Sequence, residues 1–156
     1  MKPRLRRLVA DYQRIQKDFA EHAYIRLREA EGNPPERYVF QLSLAGLVPD
    51  GEAGHCPGTE HTVEAFLSKD YPRRPPICRM LSPVFHPNIS PQKICIGDHW
   101  SADQSLAHLV IRIGEMICFQ SYNIKSPLNA VAAAWAEMNA HQLPLFSGDL
   151  MPRSDI

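Results

Sequence analysis

Apolar residues recur at three- and four-residue steps between Arg4 and His22, at Leu5, Leu8, Tyr12, Ile15 and Phe19. This is the stripe of an amphipathic helix. Its opposite face carries Arg4, Arg7, Arg14 and Lys17, a solvated face by default and a docking face for an acidic partner in the sharper reading. Ala23–Glu29 then alternates polar and apolar, and Glu31-Gly32-Asn33-Pro34-Pro35 reads as a turn. Tyr38–Leu44 alternates again, followed by a Gly-, Pro- and Asp-rich stretch from Gly46 to Gly58 that reads as a loop. Thr62–Leu67 and Ile77–Leu81 complete a set of four short strands, expected as an antiparallel meander.

Residues 82–104 lose the periodicity and hold Pro83, Pro87, Pro91 and Gly97. Compact domains keep so long an irregular segment chiefly for function, and this one contains His86, Asn88, Cys95, Asp98, His99 and Trp100. Leu106, Leu109, Val110, Ile113 and Ile117 predict a helix over 105–119. A last helix is expected to start near Pro127, with Ser126 as its N-cap and Leu128, Val131, Trp135 and Met138 on one face. The order is helix, four strands, irregular segment, helix, helix: an α+β domain over 1–142, with 143–156 as a loosely packed tail.

Composition narrows the function classes. The 156 residues carry 17 basic and 17 acidic side chains, so no long-range field recruits nucleic acid or an anionic membrane. Fourteen prolines exclude a long all-helical protein. Cys56, Cys78, Cys95 and Cys118 form no CxxC pair, which fits neither a zinc ribbon nor a disulfide framework and predicts free thiols in a reducing cytoplasm. No apolar run approaches a membrane span, and Asp11 and Gln13 interrupt the basic start before an export-signal core could form. Arginine outnumbers lysine 12 to 5, a bias of GC-rich bacterial genomes.

Four short motifs stand in register: Tyr71-Pro72-x-x-Pro75-Pro76, His86-Pro87-Asn88, Ile94-Cys95-Ile96 and Trp100-Ser101. Together, on this order of elements, they resemble the core signature of ubiquitin-conjugating enzymes over roughly residues 4–140. The resemblance implies a transferase that works by relay. An activating enzyme, which uses the ATP, passes the C-terminus of a ubiquitin-like protein to Cys95 as a thioester, and an amine of a protein substrate then attacks it. No metal or cofactor is implied for this chain, since thiolate is a nucleophile and thiol a good leaving group. Asn88 is the candidate oxyanion donor, His86 the structural residue of the loop, and Trp100 a packing anchor. The basic face at Arg4, Arg7 and Arg14 matches where the family meets its activating enzyme. Leu67 and Ser101-Ala102-Asp103 match its ligase-docking loops.

Two departures matter. The family commonly carries an acid before the Pro-Leu that opens the last helix, where this chain has Ser126, and another shortly after the cysteine, where it has Gly97 and then Asp98, the candidate substitute. Ala102 stands where the docking loop usually has proline, so a ligase contact is left open. The segment Tyr122–Asn129 looks more like bacterial relatives encoded in conjugation operons linked to phage defence. The alternatives are a non-catalytic module that binds a ubiquitin-like protein, a cysteine hydrolase using Cys95 with His86 or His99 and Asp98, and a zinc site at Cys78, His86, Cys95 and His99.

Overall fold

A computed structural model describes residues 1–52, 54–96 and 100–153. Helix α1 (Pro3–Phe19) opens with proline in its first turn and buries Leu8, Ile15 and Phe19 of the expected apolar stripe, with Tyr12 half-buried and Leu5, in the first turn, left exposed. Four strands follow: β1 (Ile25–Gly32), β2 (Pro35–Asp50), β3 (Gly54–Phe66) and β4 (Ile77–Met80). They form one antiparallel sheet in the order β1-β2-β3-β4, the meander predicted. Helices α2 (Leu106–Ile117) and α3 (Ala130–Met138) and a short 3-10 turn (Ala140–Gln142) close the element order.

The middle strands are much longer than their alternation suggested. The stretch from Gly46 to Gly58, expected as a loop, continues the β2–β3 ladder through Leu47↔Pro57 and Val48↔Cys56 to Asp50↔Gly54. A register shift between Ser43 and Gly46 hides the period. Gly46 is required there, because a Cβ would stand 2.8 Å from Ile117 of α2 and 2.9 Å from the buried His61 ring.

The core lies between α1, α2 and the inner face of the sheet, with Ile15, Tyr38, Phe40, Leu42, Val63, Leu106, Val110 and Ile113 fully buried. Helix α2 buries almost its whole length and is capped by Ser105, whose side chain accepts from the His108 amide.

Helix α3 begins later than expected. Its N-cap is Asn129, whose side chain accepts from Ala132 N, while Ser126 sits in the left-handed region at φ 52°. The amides of Leu128 and Asn129 are taken by the Pro87 carbonyl at 2.8 and 3.1 Å, a tertiary tie that overrides the Ser-Pro start signal. The helix packs through Ala132, Ala133 and Ala136. Val131 and Met138, expected on the inner face, point outward, because small residues let α3 approach the Leu47–Phe85–Phe119 cluster closely.

The tail is not loose. Gln120 donates to the carbonyls of Phe146 and Gly148, both at 2.9 Å, and Leu145 N donates to Cys118 O at 2.9 Å. Leu150 is buried against Gly114 of α2, where any Cβ would meet its Cδ1 at 2.9 Å.

Candidate active site

The segment after β4 folds as a tight loop whose backbone is held at every turn. His86 Nδ1 accepts the Asn88 amide at 3.0 Å, Cys95 N donates to Asn88 O at 2.9 Å, and Ser90 N donates to Lys93 O at 2.9 Å. Ile94 N donates to Cys78 O at 3.1 Å, which fixes the cysteine-bearing arm to β4. Cys95 and Asn88 therefore face each other across a two-stranded turn, with the bridges His86↔Ile89 and Ile89↔Ile94 between them.

His86 is buried against the ring of Phe119, 4.6 Å between centroids. Burial drives its pKa down to about 4. The neutral ring can then keep Nδ1 as acceptor for the loop, a task imidazolium could not perform.

Asn88 makes a reciprocal pair with the backbone of Asn123. Its Nδ2 donates to Asn123 O at 2.8 Å, and Asn123 N donates to its Oδ1 at 2.9 Å. Neither Asn123 nor this pairing is visible in the motifs. The hint is weak: an Asn three residues before a Ser-Pro dipeptide marks a turn.

These two loops and α2 enclose a cleft of about 680 Å³. Asn88, Cys95, Ile96, Leu109, Ile113, Met116 and Tyr122 line it, with Arg112, Ser121, Asn123, Lys125 and Ser126 as further polar positions. Cys95 is half-buried on the cleft wall, whereas Cys78 and Cys118 are buried in the core. Burial pushes the Cys78 thiol up to about 12 and raises that of Cys118 as well, so both stay protonated. Cys56 is half-buried on β3, opposite Val48. Asp98, the candidate substitute acid, lies outside the described residues, as does His99.

Trp100 anchors the loop beyond the cysteine, donating its indole N–H to Pro72 O at 2.8 Å beside the Tyr71 ring. The basic face of α1 is more occupied than its sequence suggests. Arg7 lies over the Tyr71 ring and donates to Asp11 at 2.9 Å, to Tyr71 Oη at 3.1 Å and to the carbonyls of Ala102 and Gln104. Burial opposes its charge, but Tyr71 and Asp11 outweigh burial and raise its pKa. Arg4 donates to Ser68 O at 2.7 Å and pairs with Glu36 at 3.0 Å, and Arg14 pairs with Asp18 at 2.6 Å.

Of the expected ligase-docking positions, Ala102 is exposed and Leu67 is not. Leu67 has 0% relative exposure, because Val63, Ala65 and Leu67 share the inward face of their alternation while Phe66 points out. Leu67 therefore offers no exposed side chain for docking in this structure.

The family model described as ubiquitin-conjugating enzyme matches residues 8–144. The chain belongs to the ubiquitin-conjugating enzyme family. The ubiquitin-conjugating enzyme E2 3 of Arabidopsis thaliana is 30% identical over 135 residues, covering 84% of this chain and 83% of the relative. The ubiquitin-conjugating enzyme E2 S of Drosophila willistoni is 30% identical over 101 residues, covering 56% and 47%. Among solved structures, the E2 domain of a Toxoplasma gondii ubiquitin-conjugating enzyme superposes with a TM-score of 0.58 at 22% identity, covering 90% of this chain and 93% of that one. A ubiquitin-conjugating enzyme is thus an α+β transferase working with a ubiquitin-like protein, an activating enzyme and a substrate, and this chain has that fold. No described helix is long and apolar enough to cross a membrane.

Proposed function

We propose that this ubiquitin-conjugating enzyme carries the C-terminal carboxyl of a ubiquitin-like protein on Cys95 Sγ and delivers it to an amine of a protein substrate. The observation that carries the reading is Cys95 itself. It lines an open cleft together with the Asn88 amide, while Cys78 and Cys118 are sealed in the core. In the charging step the Cys95 thiolate attacks the carbonyl held by the activating enzyme's thiol. A new C–S bond forms, the old one breaks, and the departing sulfur leaves as thiolate. In the transfer step a neutral amine attacks the Cys95 thioester, an oxyanion develops, and Cys95 leaves as thiolate when the amide forms.

Asn88 supports the oxyanion through Nδ2, which has two hydrogens and uses one on Asn123 O. His86 acts as a positioning residue through the Asn88 amide. Arg4 and Arg14 keep part of their guanidinium surface open and are the α1 groups for contact with the activating enzyme, and exposed Ala102 is the remaining docking-loop position for a ligase. Asp98 is proposed as the acid that Ser126 cannot be. A bacterial setting with a role against phage rests on the arginine bias and the Tyr122–Asn129 segment. It is tested by phage challenge of cells carrying wild type or Cys95→Ala.

The deciding experiment is ATP-dependent charging with the cognate ubiquitin-like protein and activating enzyme. An adduct that disappears with thiol, is lost in Cys95→Ala and becomes thiol-resistant in Cys95→Ser is expected. No adduct beside an activating enzyme that is itself charged would leave a non-catalytic binding module.

A further inference from the structure

Among the described residues, the charge lining the cleft beside Cys95 is one-sided. Arg112 of α2 and Lys125 of the following loop line it, and among the described lining residues there is no carboxylate. Glu115, one turn along α2 from Arg112, is not part of the lining. Neither Arg112 nor Lys125 has an ion-pair partner among the described residues. By contrast Arg4, Arg7, Arg14, Arg37, Arg73, Arg74 and Arg79 all pair with carboxylates. Arg112 is also the lone charge on a helix of otherwise apolar lining residues, and it is only half-buried, so its head group is open to a ligand. The other α2 residues of the lining, Leu109, Ile113 and Met116, are apolar, as is the Tyr122 ring, while Ser121, Asn123 and Ser126 add neutral polar groups.

Such a cleft suits an extended peptide with apolar side chains on one face and acidic ones on the other, since successive residues of an extended chain point to opposite sides. One segment must lie here. A carboxyl bonded to Cys95 Sγ fixes its own last residues beside that sulfur at about 3.3 Å per residue, so the donor's tail occupies the cleft through charging and transfer. An acceptor lysine arrives only briefly and must be neutral to attack. Building on the thioester reading, we infer that Arg112 and Lys125 select a ubiquitin-like protein whose C-terminal tail carries acidic side chains within its last six residues.

Intact-mass measurement of Cys95 acylation by synthetic peptide thioesters tests this without an activating enzyme. Two six-residue peptides ending in Gly-Gly, as thioesters of 2-mercaptoethanesulfonate, carry Glu or Lys at the third and fifth positions from the end, with an apolar residue between. Cys95 attacks the peptide carbonyl and mercaptoethanesulfonate leaves as thiolate, so the step balances. The Glu peptide is expected to acylate roughly threefold to tenfold faster at low salt, as two solvent-facing ion pairs allow. The advantage should shrink as ionic strength rises. Arg112→Glu/Lys125→Glu is expected to reverse the preference. Equal rates for both peptides, or a preference untouched by the reversal, would overturn the inference and leave the thioester reading standing. Failure of both peptides to acylate Cys95, while iodoacetamide still alkylates it, would overturn both the inference and the thioester reading.

Discussion

Asn88 and Asn123 hold each other across the cleft by two reciprocal hydrogen bonds of 2.8 and 2.9 Å, side-chain amide to main-chain amide. The pairing gives Asn88 two tasks. It ties the 121–126 loop to the cysteine loop, and it leaves one Nδ2 hydrogen unspent on Asn123 for the proposed oxyanion role. Together with the bonds from Leu128 and Asn129 to Pro87 O, it makes one rigid body of two segments that have no regular structure.

Separate substitutions resolve the two tasks. Asn88→Asp keeps an acceptor for Asn123 N but loses both donor hydrogens. Asn88→Ala loses everything. Both variants should charge nearly normally, and single-turnover discharge to free lysine should slow by about 10²-fold where the oxyanion donor is lost. Hydrogen exchange at the Asn123 amide distinguishes them: protection should persist in Asn88→Asp and vanish in Asn88→Ala. Equal losses in charging and discharge would make Asn88 a purely structural residue.

Arg7 and Arg14 occupy the same helix and read identically in sequence, yet they should behave differently. Arg7 neutralises buried Asp11, which also accepts from Tyr71 and from the Leu106 amide at 3.2 Å, and it holds the carbonyls of Ala102 and Gln104. Arg7→Ala leaves Asp11 buried without its cation and should cost about 3 kcal/mol in urea unfolding. Arg14 is 46% exposed, but its partner Asp18 is buried like Asp11. Arg14→Ala should therefore cost about 1–2 kcal/mol, less than Arg7→Ala because Arg14 does not also hold the carbonyls of Ala102 and Gln104. Costs of similar size would mean that α1 and the loop beyond Cys95 are not joined through Arg7.

The contrast shows where the sequence was legible. Elements with an unbroken period, α1 and α2, appear where their apolar stripes place them, and the order of strands followed from alternation. The β2–β3 extension stayed hidden because its register shift and its glycine serve close approach to α2 and His61, a reason that exists only in three dimensions. Cys95, Asn88 and His86 were found through motif spacing. Asn123, Arg112 and Lys125 were not, since each acquires its place from a neighbour far away in the chain. The late start of α3 has the same origin, in the Pro87 carbonyl.

The tail offers a direct test of packing. Leu150 is 1% exposed and sits against Gly114, which also neighbours Leu42 and Leu44, so Leu150→Ala should cost about 2–4 kcal/mol. A loosely attached tail would give a change under about 0.5 kcal/mol. Gly114→Ala should also destabilise, because the added methyl meets Leu150 at 2.9 Å.

The last prediction concerns pH. Burial holds His86 at about 4, below the 6.5 of an exposed histidine. Between those values the unfolded chain binds a proton that the folded chain refuses, so stability rises with pH across the window. The contribution is complete above about pH 6.5 and is lost as pH falls towards 4, on the order of 3 kcal/mol in all. His61, also lowered by burial, adds a slope of the same sign. His86→Gln, which can still accept from Asn88 N, should show a shallower fall of melting temperature between pH 7 and 4.5 than wild type, with His61 common to both. Parallel curves would mean that His86 titrates freely in the folded chain. Imidazolium would then have to break the bond from Asn88 N, and the cysteine loop would loosen on the acid side of neutrality.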